Sequence, residues 1–310
     1  MSLRIAVQMN SIPEHRIPLD STVALMIEAK RRKHEVYRYA PECMSLWGDM
    51  LSADVERVES CSMDHVSVGV LESIDLSSCD VVLMRQDPPF DMSYLSGTYL
   101  LERIHPATLV VNNPSQVRNV PEKLFVTEFQ DLIPPTLITR SIGEIKKFRE
   151  EFNDIVMKPL YAGAGYGVVL VRREDENFSS LTEIFFAASS EPWVVQKYCP
   201  EVRLGDKRVI LVDGEIAGAV NRVPIHGEFR SNFACGGQGS ATLLTRRELD
   251  ICAHIGPILR DRGLLFVGID IVGEFLTEIN VTSPTGIRPI DQFCGIDVAS
   301  MVWDAIEARC

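Results

Sequence analysis

The sequence predicts an α/β protein: an N-terminal open parallel-sheet domain followed by two α+β units. Three observations predict it. Residues 80–85 (DVVLMR) and 108–112 (TLVVN) are short apolar runs bounded by polar residues, the pattern of parallel strands buried on both faces. Strand, polar loop and helix alternate through the first part of the chain, as in an open α/β sheet. The composition then shifts over 115–136, where Ile133-Pro134-Pro135-Thr136 reads as a stiff connector.

Residues 4–9 (RIAVQM) read as a buried strand, and 10–19 as a loop with two prolines. The next segment is an amphipathic helix that Asp20, Ser21 or Thr22 can cap, with Val23, Met26 and Ile27 on its apolar stripe. It closes on KRRKH (30–34), a cationic run that the helix dipole favours at a last turn and that needs no nucleic-acid partner. The strand at 80–85 opens into a polar, proline-bearing loop, RQDPPFD (85–91), and the strand at 108–112 into Asn112-Asn113-Pro114. Ligands of open α/β sheets collect beyond such carboxyl ends, although the DPPFD loop also reads as a plain proline turn. A helix over 123–131 precedes the connector. Strands at 155–158, 167–171 and 193–197 alternate with helical stretches, and from 207 onward come further strands, a helix over 245–262, two more strands and a last helix over 299–309. This gives three units, 1–122, 123–200 and 201–310.

Charge and composition exclude several function classes. Lys and Arg total 31 against 43 Asp and Glu, a net charge of −12 that repels nucleic acid and anionic membranes at long range. The opening MSLRIAVQM lacks the features of a secretory signal, and no apolar run approaches the ~20 residues of a membrane span. Eight cysteines contain no Cys-x-x-Cys pair, so the chain reads as a cytoplasmic protein with free thiols. Six histidines show no zinc spacing, and no G-x-S-x-G elbow is present.

Three constellations carry chemistry. In MKPLYAGAGYG (157–167) a strand ends in Lys158 and a turn with Gly163, Gly165 and Gly167 leads into a second strand. Glycines let backbone N–H groups approach an anion, with the lysine as a mobile charge; a glycine hairpin without a ligand is the alternative. It is neither a Walker A loop nor a Rossmann fingerprint. In VGIDIVGEFLTEINV (267–281) two strands joined by a tight turn place Asp270 on one and Glu278 and Asn280, of equal parity, on one face of the other. That all-oxygen set suits Mg²⁺; a solvated sheet face is the alternative. In GDKRV (205–209) and NRVP (221–224), Arg208 and Arg222 lie on the strands of one hairpin and suit a phosphoryl group or a carboxylate, or a salt-bridged surface. The glycine-bearing loop over 223–239 reads as a mobile lid.

Together, MRQDPPFD (84–91), PEKLF (121–125), MKPLYAGAGYG (157–167), GDKRVILVDGE (205–215), NRVP (221–224), RSNFACGGQG (230–239) and LLFVGIDIVGEFLTEINVTSPTGIR (264–288) resemble the bacterial glutathione synthetase family of the ATP-grasp superfamily, over nearly the whole chain. The resemblance implies an ATP-grasp fold, with ATP between the units 123–200 and 201–310 and part of the acceptor on the N-terminal domain. It implies that Lys123 and Lys158 contact the ATP phosphates, that Gly163, Gly165 and Gly167 cover them, and that Gln196, Lys197 and Tyr198 hold adenine. It makes Asp270, Glu278 and Asn280 ligands of Mg²⁺ (or Mn²⁺), and Arg208 and Arg222 the arginines at the reacting carboxylate and phosphate. Arg85, Asp87, Ser283, Pro284 and Thr285 become substrate-binding positions. The implied partners are ATP, γ-glutamylcysteine and glycine, joined through an acyl phosphate to give glutathione, ADP and phosphate, in a homo-oligomer (dimer or tetramer). Three positions depart from the family pattern: the glycine turn itself, Met9-Asn10-Ser11 where MDP is usual, and Gln238 in place of an arginine. A peptide ligase of the same superfamily with another acceptor, or a non-catalytic nucleotide-binding regulator, are the competing readings; the intact Asp270, Glu278 and Asn280 set weighs against the regulator.

Overall fold

The computed structural model describes residues 2–310, arranged around three sheets. The N-terminal sheet contains β1 (Arg4–Met9), β2 (Glu35–Tyr39), β6 (Val81–Arg85) and β7 (Leu109–Val111), which run parallel in the order β2-β1-β6-β7. It is extended by β3 (Met44–Trp47), β4 (Met50–Cys61) and β5 (Val66–Asp75), all antiparallel through β4. This antiparallel extension does not stand out in the sequence. β5 alternates weakly and exposes Val70 and Leu71, so its hydropathy carries no buried-strand signature. Helices α1 (Ser21–Arg31), α2 (Met92–Glu102) and α3 (Pro114–Asn119) accompany this sheet.

Asp20 caps α1, its Oδ1 accepting from the amides of Thr22 at 2.7 Å and Val23 at 3.0 Å. The cationic run after α1 is spent on structure: Arg32 pairs with Glu28, Asp304 and Glu307, and buried His34 meets Glu307 at 2.9 Å.

A short helix α4 (Glu122–Phe125) leads into the second sheet. The helix expected over 123–131 stops at Phe125 and continues only as a 3₁₀ turn (Val126–Glu128), with Phe125, Val126 and Phe129 all anchored in the core. The second sheet is antiparallel, β10 (Val169–Val171), β9 (Ile155–Pro159), β11 (Trp193–Lys197) and β8 (Thr136–Thr139) in that order, with α5 (Ile142–Phe152) and α6 (Phe178–Ala188). Thr136, read as connector, begins β8.

The third sheet is also antiparallel: β14 (Gln238–Ala241), β13 (Glu215–Val223), β12 (Asp206–Val212), β15 (Phe266–Val272) and β16 (Phe275–Asn280). It is packed by α7 (Arg246–Asp261), which starts with a Thr245–Glu248 capping box, by α8 (Ile287–Cys294), missed in the sequence, and by α9 (Val298–Glu307).

Core composition shows which parts pack together. The first and third sheets share two apolar cores; one joins Ile5, Val7 and Val81 to Ile210, Val220, Phe266 and Trp303. The second sheet has its own small core around Ile145, Met157, Phe178 and Trp193. The polar link between the first and third sheets is Asn112: its Oδ1 accepts from Phe266 N–H, and its Nδ2 donates to the carbonyls of Phe266 and Val281, each at 2.8 Å. Among the described residues no helix is long and apolar enough to cross a membrane.

Trp303 on α9 is fully buried and donates its indole N–H to the Leu25 carbonyl on α1 at 2.8 Å. Trp303→Ala should therefore lower unfolding stability by about 3–5 kcal/mol, the cost of a large core truncation. A urea melt followed by circular dichroism measures it, and a loss under ~1 kcal/mol would contradict this packing.

Candidate active site

A cleft open to solvent lies between the second and third sheets. Of the residues singled out in the sequence, Lys123, Lys158, Gly165, Gln196, Lys197, Tyr198, Asp270 and Glu278 line it. Its lining combines apolar side chains, among them Val156, Val168, Val202 and Val272, with charged ones.

The segment after β11 lines part of the cleft. Register pairs Gln196 with Thr136, so Lys197 stands opposite Pro135 and donates its amide to the Pro135 carbonyl at 3.0 Å. A ladder pair normally exchanges two hydrogen bonds, but proline has no N–H to return. The Lys197 carbonyl is thus without its ladder partner at the rim of the apolar slot. The Tyr198 amide is engaged by the Asp154 carbonyl at 3.0 Å, and its hydroxyl accepts from Arg203 Nε at 3.1 Å. The Gln196 side chain is also spent: it accepts from Lys158 Nζ at 2.7 Å and donates to Thr136 Oγ1 at 3.0 Å, which orients the lysine. Burial pushes the Lys158 ammonium below its ordinary pKa.

The charged lining is built on the third sheet. Asp270 on β15 pairs in register with Glu278 on β16, and Asn280 follows on the same face, its Nδ2 3.4 Å from Asp270 Oδ2. Arg208 of β12 grips Asp270 through Nε at 2.5 Å and Nη2 at 3.0 Å, and Arg222 of β13 reaches Asp270 Oδ1 at 3.0 Å. Burial works against the Asp270 charge, but the two guanidiniums hold its carboxyl well below the usual carboxylate range. Lys123 Nζ lies 3.2 Å from Glu278 and donates to the Ala162 carbonyl of the glycine turn. Asp270, Glu278 and Asn280 thus form an all-oxygen set of two carboxylates and one amide; among the described residues no three His, Cys, Asp or Glu side chains converge as a metal site.

The glycine turn (Gly163, Gly165, Gly167) is enclosed from two sides. Gly165 has φ +78°, and a Cβ there would stand 2.6 Å from Asn232 Oδ1 and 3.0 Å from Cys235 Sγ, so the lid can lie this close only over glycine. Arg230 of the lid donates to the Gly165 carbonyl at 3.1 Å. On the other side Pro88 packs against Gly163, and the Phe90 amide donates to the Tyr161 carbonyl at 3.2 Å.

The remaining positions lie outside the cleft lining. Arg85 is buried, with Nε on Thr22 Oγ1 at 3.1 Å and Nη2 on the Pro284 carbonyl at 2.9 Å. Asp87 is exposed, its amide donating to Asn10 Oδ1 at 2.8 Å. Ser283 Oγ donates to the Arg85 carbonyl at 3.4 Å, and the Thr285 carbonyl accepts from Arg208 Nη1 at 2.8 Å. Gln238 is exposed on edge strand β14.

Sequence reasoning missed several groups that the fold brings to this cleft. Asp206 is buried, accepting from Arg222 Nη2 at 2.5 Å and from Ser231 Oγ at 2.8 Å, while its Oδ1 has no partner. Burial and the neighbouring Asp270 push its carboxyl pKa up. Its signal was present, since Asp206 stands two residues before Arg208 on one strand face. Arg230, Ser231 and Asn232 sit on a loop, where no periodicity predicts direction.

Comparison with known proteins agrees with this architecture. The family model for the prokaryotic glutathione synthetase N-terminal domain matches residues 3–118, and that for the prokaryotic glutathione synthetase ATP-grasp domain matches 122–295. Glutathione synthetase of Agrobacterium fabrum is 53% identical over 307 residues, 98% of this chain and 96% of that one. Glutathione synthetase of Synechocystis is 40% identical, covering 91% and 92%. Among solved structures, D-cycloserine synthetase DcsG superposes with a TM-score of 0.69 at 13% identity, covering 97% of this chain and 99% of that one. The ATP-grasp ligase PsnB with a minimal precursor superposes at 0.64 and 18%, covering 100% and 99%. These two establish the ATP-grasp fold alone. By two adjoining family models and by identity over nearly its full length, the chain belongs to the prokaryotic glutathione synthetase family and is an ATP-dependent ligase that makes glutathione.

Proposed function

We propose that the cleft binds ATP with its base against the apolar side chains and its phosphates at the charged ones, and that Arg208 and Arg222 serve the transfer itself. The observation that carries this reading is the convergence of Lys123, Lys158, Asp270 and Glu278 in a single cleft that Val156, Val168, Val202 and Val272 also line. Adenine enters the slot beside Gln196, Lys197 and Tyr198, its amino group donating to the Lys197 carbonyl, which has no ladder partner and otherwise takes only the Cys199 thiol at 3.7 Å. Lys123 and Lys158 take the phosphates, and the backbone around Gly163, Gly165 and Gly167 covers them.

Asp270, Glu278 and Asn280 would hold the metal, Mg²⁺ or alternatively Mn²⁺. Their oxygen chemistry suits such a cation, which keeps phosphate oxygens and water in its remaining positions. When bound it supplies charge neutralisation of the transferring phosphoryl group. Lys123 would then exchange Glu278 for a phosphate oxygen.

In the reaction, the terminal carboxylate of γ-glutamylcysteine attacks the γ-phosphorus, the bond to ADP breaks and an acyl phosphate forms. The glycine amine attacks that carbonyl, loses a proton and displaces phosphate. A carboxylate attacking a polyanion needs cations more than a base, so Arg208 and Arg222 stabilise charge there and no catalytic triad is required. The lid over 224–237, closed on Gly165, excludes the water that would hydrolyse the acyl phosphate. Ser283 and Thr285 bind the acceptor, Pro284 shapes their loop, Arg85 supports it through Pro284, and Asp87 contributes from the exposed loop after β6. Asn10 supplies the side-chain oxygen that holds Asp87 where the family has an aspartate. The units 1–122, 123–200 and 201–310 serve the acceptor, the nucleotide and the catalysis respectively. Eight free cysteines support a cytoplasmic setting, and self-association as a dimer or tetramer carries over from the family resemblance.

Two outcomes test this reading. Glu278→Gln should lower kcat/KM by at least ~10²-fold with an unchanged far-UV circular dichroism spectrum; near-normal turnover at saturating Mg²⁺ would show that Glu278 is not a ligand. GTP, which would turn a carbonyl toward the Lys197 carbonyl, should support turnover with a kcat/KM about 10³-fold below that of ATP. Comparable rates with the two nucleotides would remove the base assignment.

A further inference from the structure

The loop over 281–287 follows the Glu278 and Asn280 strand and carries the acceptor positions proposed above. Each of its residues is held by another element. Ser283 Oγ meets the Arg85 carbonyl, the Pro284 carbonyl meets Arg85, the Thr285 carbonyl meets Arg208, and Ser21 Oγ accepts from the amides of Gly286 at 3.1 Å and Ile287 at 3.3 Å. Its first two residues depend on Glu122. One oxygen, Glu122 Oε1, accepts from the Val281 amide at 3.1 Å, the Thr282 amide at 3.2 Å and the Thr282 hydroxyl at 2.7 Å.

Glu122 is an unexpected residue to find there. It stands close to Glu278, so burial and a like charge both disfavour its carboxylate and push its pKa up. Three donors on one oxygen compensate that cost, and they leave that oxygen nothing with which to bind a substrate. Its neighbour on the single turn of α4 is Lys123, whose ammonium reaches Glu278 and the glycine turn. One short helix therefore grips the acceptor loop with one side chain and the charged lining of the cleft with the next.

We propose that Glu122 is a positioning residue that sets the acceptor loop in register with Lys123, so that the acceptor carboxylate and the γ-phosphate are presented together. The proposal rests on the assignment of Ser283 and Thr285 to the acceptor. It requires the oxygen of Glu122 as a hydrogen-bond acceptor and does not require its charge.

The test is steady-state kinetics of the full chain, with γ-glutamylcysteine and ATP varied in turn, on Glu122→Ala, Glu122→Gln and Thr282→Val, beside Ser283→Ala and Thr285→Ala. Glu122→Ala should raise the KM for γ-glutamylcysteine about tenfold while the KM for ATP stays within about twofold. Glu122→Gln, which keeps an oxygen for the same three donors, should recover most of that loss. Thr282→Val, which removes only the hydroxyl donor, should raise the acceptor KM about threefold and keeps the test open if Glu122→Ala fails to fold. Equal rises in both KM values for Glu122→Gln and Thr282→Val would reduce Glu122 to a general structural role and overturn the proposal. An acceptor effect from Ser283→Ala and Thr285→Ala, with none from the Glu122 and Thr282 variants, overturns the proposal alone. No acceptor effect from any variant overturns it together with the loop assignment.

Discussion

One buried aspartate shared by two arginines sets the geometry of the charged lining. Asp270 on β15 is held by Arg208 of the adjacent β12 and by Arg222 of β13, one strand further on, and each guanidinium has a second task. Arg208 also holds the Thr285 carbonyl, which fixes the far end of the acceptor loop. Arg222 also holds Asp206, which in turn accepts from Ser231 of the lid. A buried ion pair is poor value as a stabiliser, because desolvation offsets most of its attraction, yet removing one partner costs about 3–5 kcal/mol. The cluster therefore makes the best physical sense as a device of position: it ties the loop over 224–237, the proposed acceptor loop and the strands of the proposed metal ligands to one point.

The distribution of apolar cores divides the molecule along functional lines. The first and third sheets are fused through shared cores and through Asn112, so the acceptor loop and the Asp270 cluster belong to one packed unit. The second sheet, which carries Lys158 and the glycine turn, has only its own small core. It meets the rest through polar and loop contacts such as Arg230 to Gly165 and Phe90 to Tyr161. A unit held in this way can move as a body, and the contacts it would exchange are those that cover the phosphates.

Much of this was legible in the sequence because the informative residues lie on regular elements. The parity of Glu278 and Asn280 gave one face, and the tight turn at Gly273 put Asp270 across from them; the register agrees despite a bulge after Asp270. The parallel strands at 80–85 and 108–112 were visible because both faces are buried. The β4–β5 hairpin was not, since an edge strand with exposed Val70 and Leu71 lacks that signature. Side-chain pairing was also out of reach. The contacts of Arg85, read as a substrate-binding position, with Thr22 and Pro284 have no sequence signature, and neither does the pairing of Gln196 with Lys158. Glu122 passed unnoticed beside Lys123 because its partners lie about 160 residues away in the chain.

Charge was the least legible property. Lys123, Lys158, Arg208 and Arg222 suggest a strongly cationic cleft inside an acidic protein, but Asp206, Asp270 and Glu278 stand among them, and three of the four cations are already paired. The protein alone therefore offers a polyphosphate less attraction than the number of its cations suggests, and the proposed divalent cation would supply the difference. Calorimetric titration of ATP into the protein, at saturating Mg²⁺ and again in EDTA, tests this most directly. The account predicts affinity at least ~10-fold weaker in EDTA, the equivalent of ~1.4 kcal/mol. Equal affinity under the two conditions would contradict it, and with it the picture of a site whose own carboxylates neutralise its cations until the metal arrives.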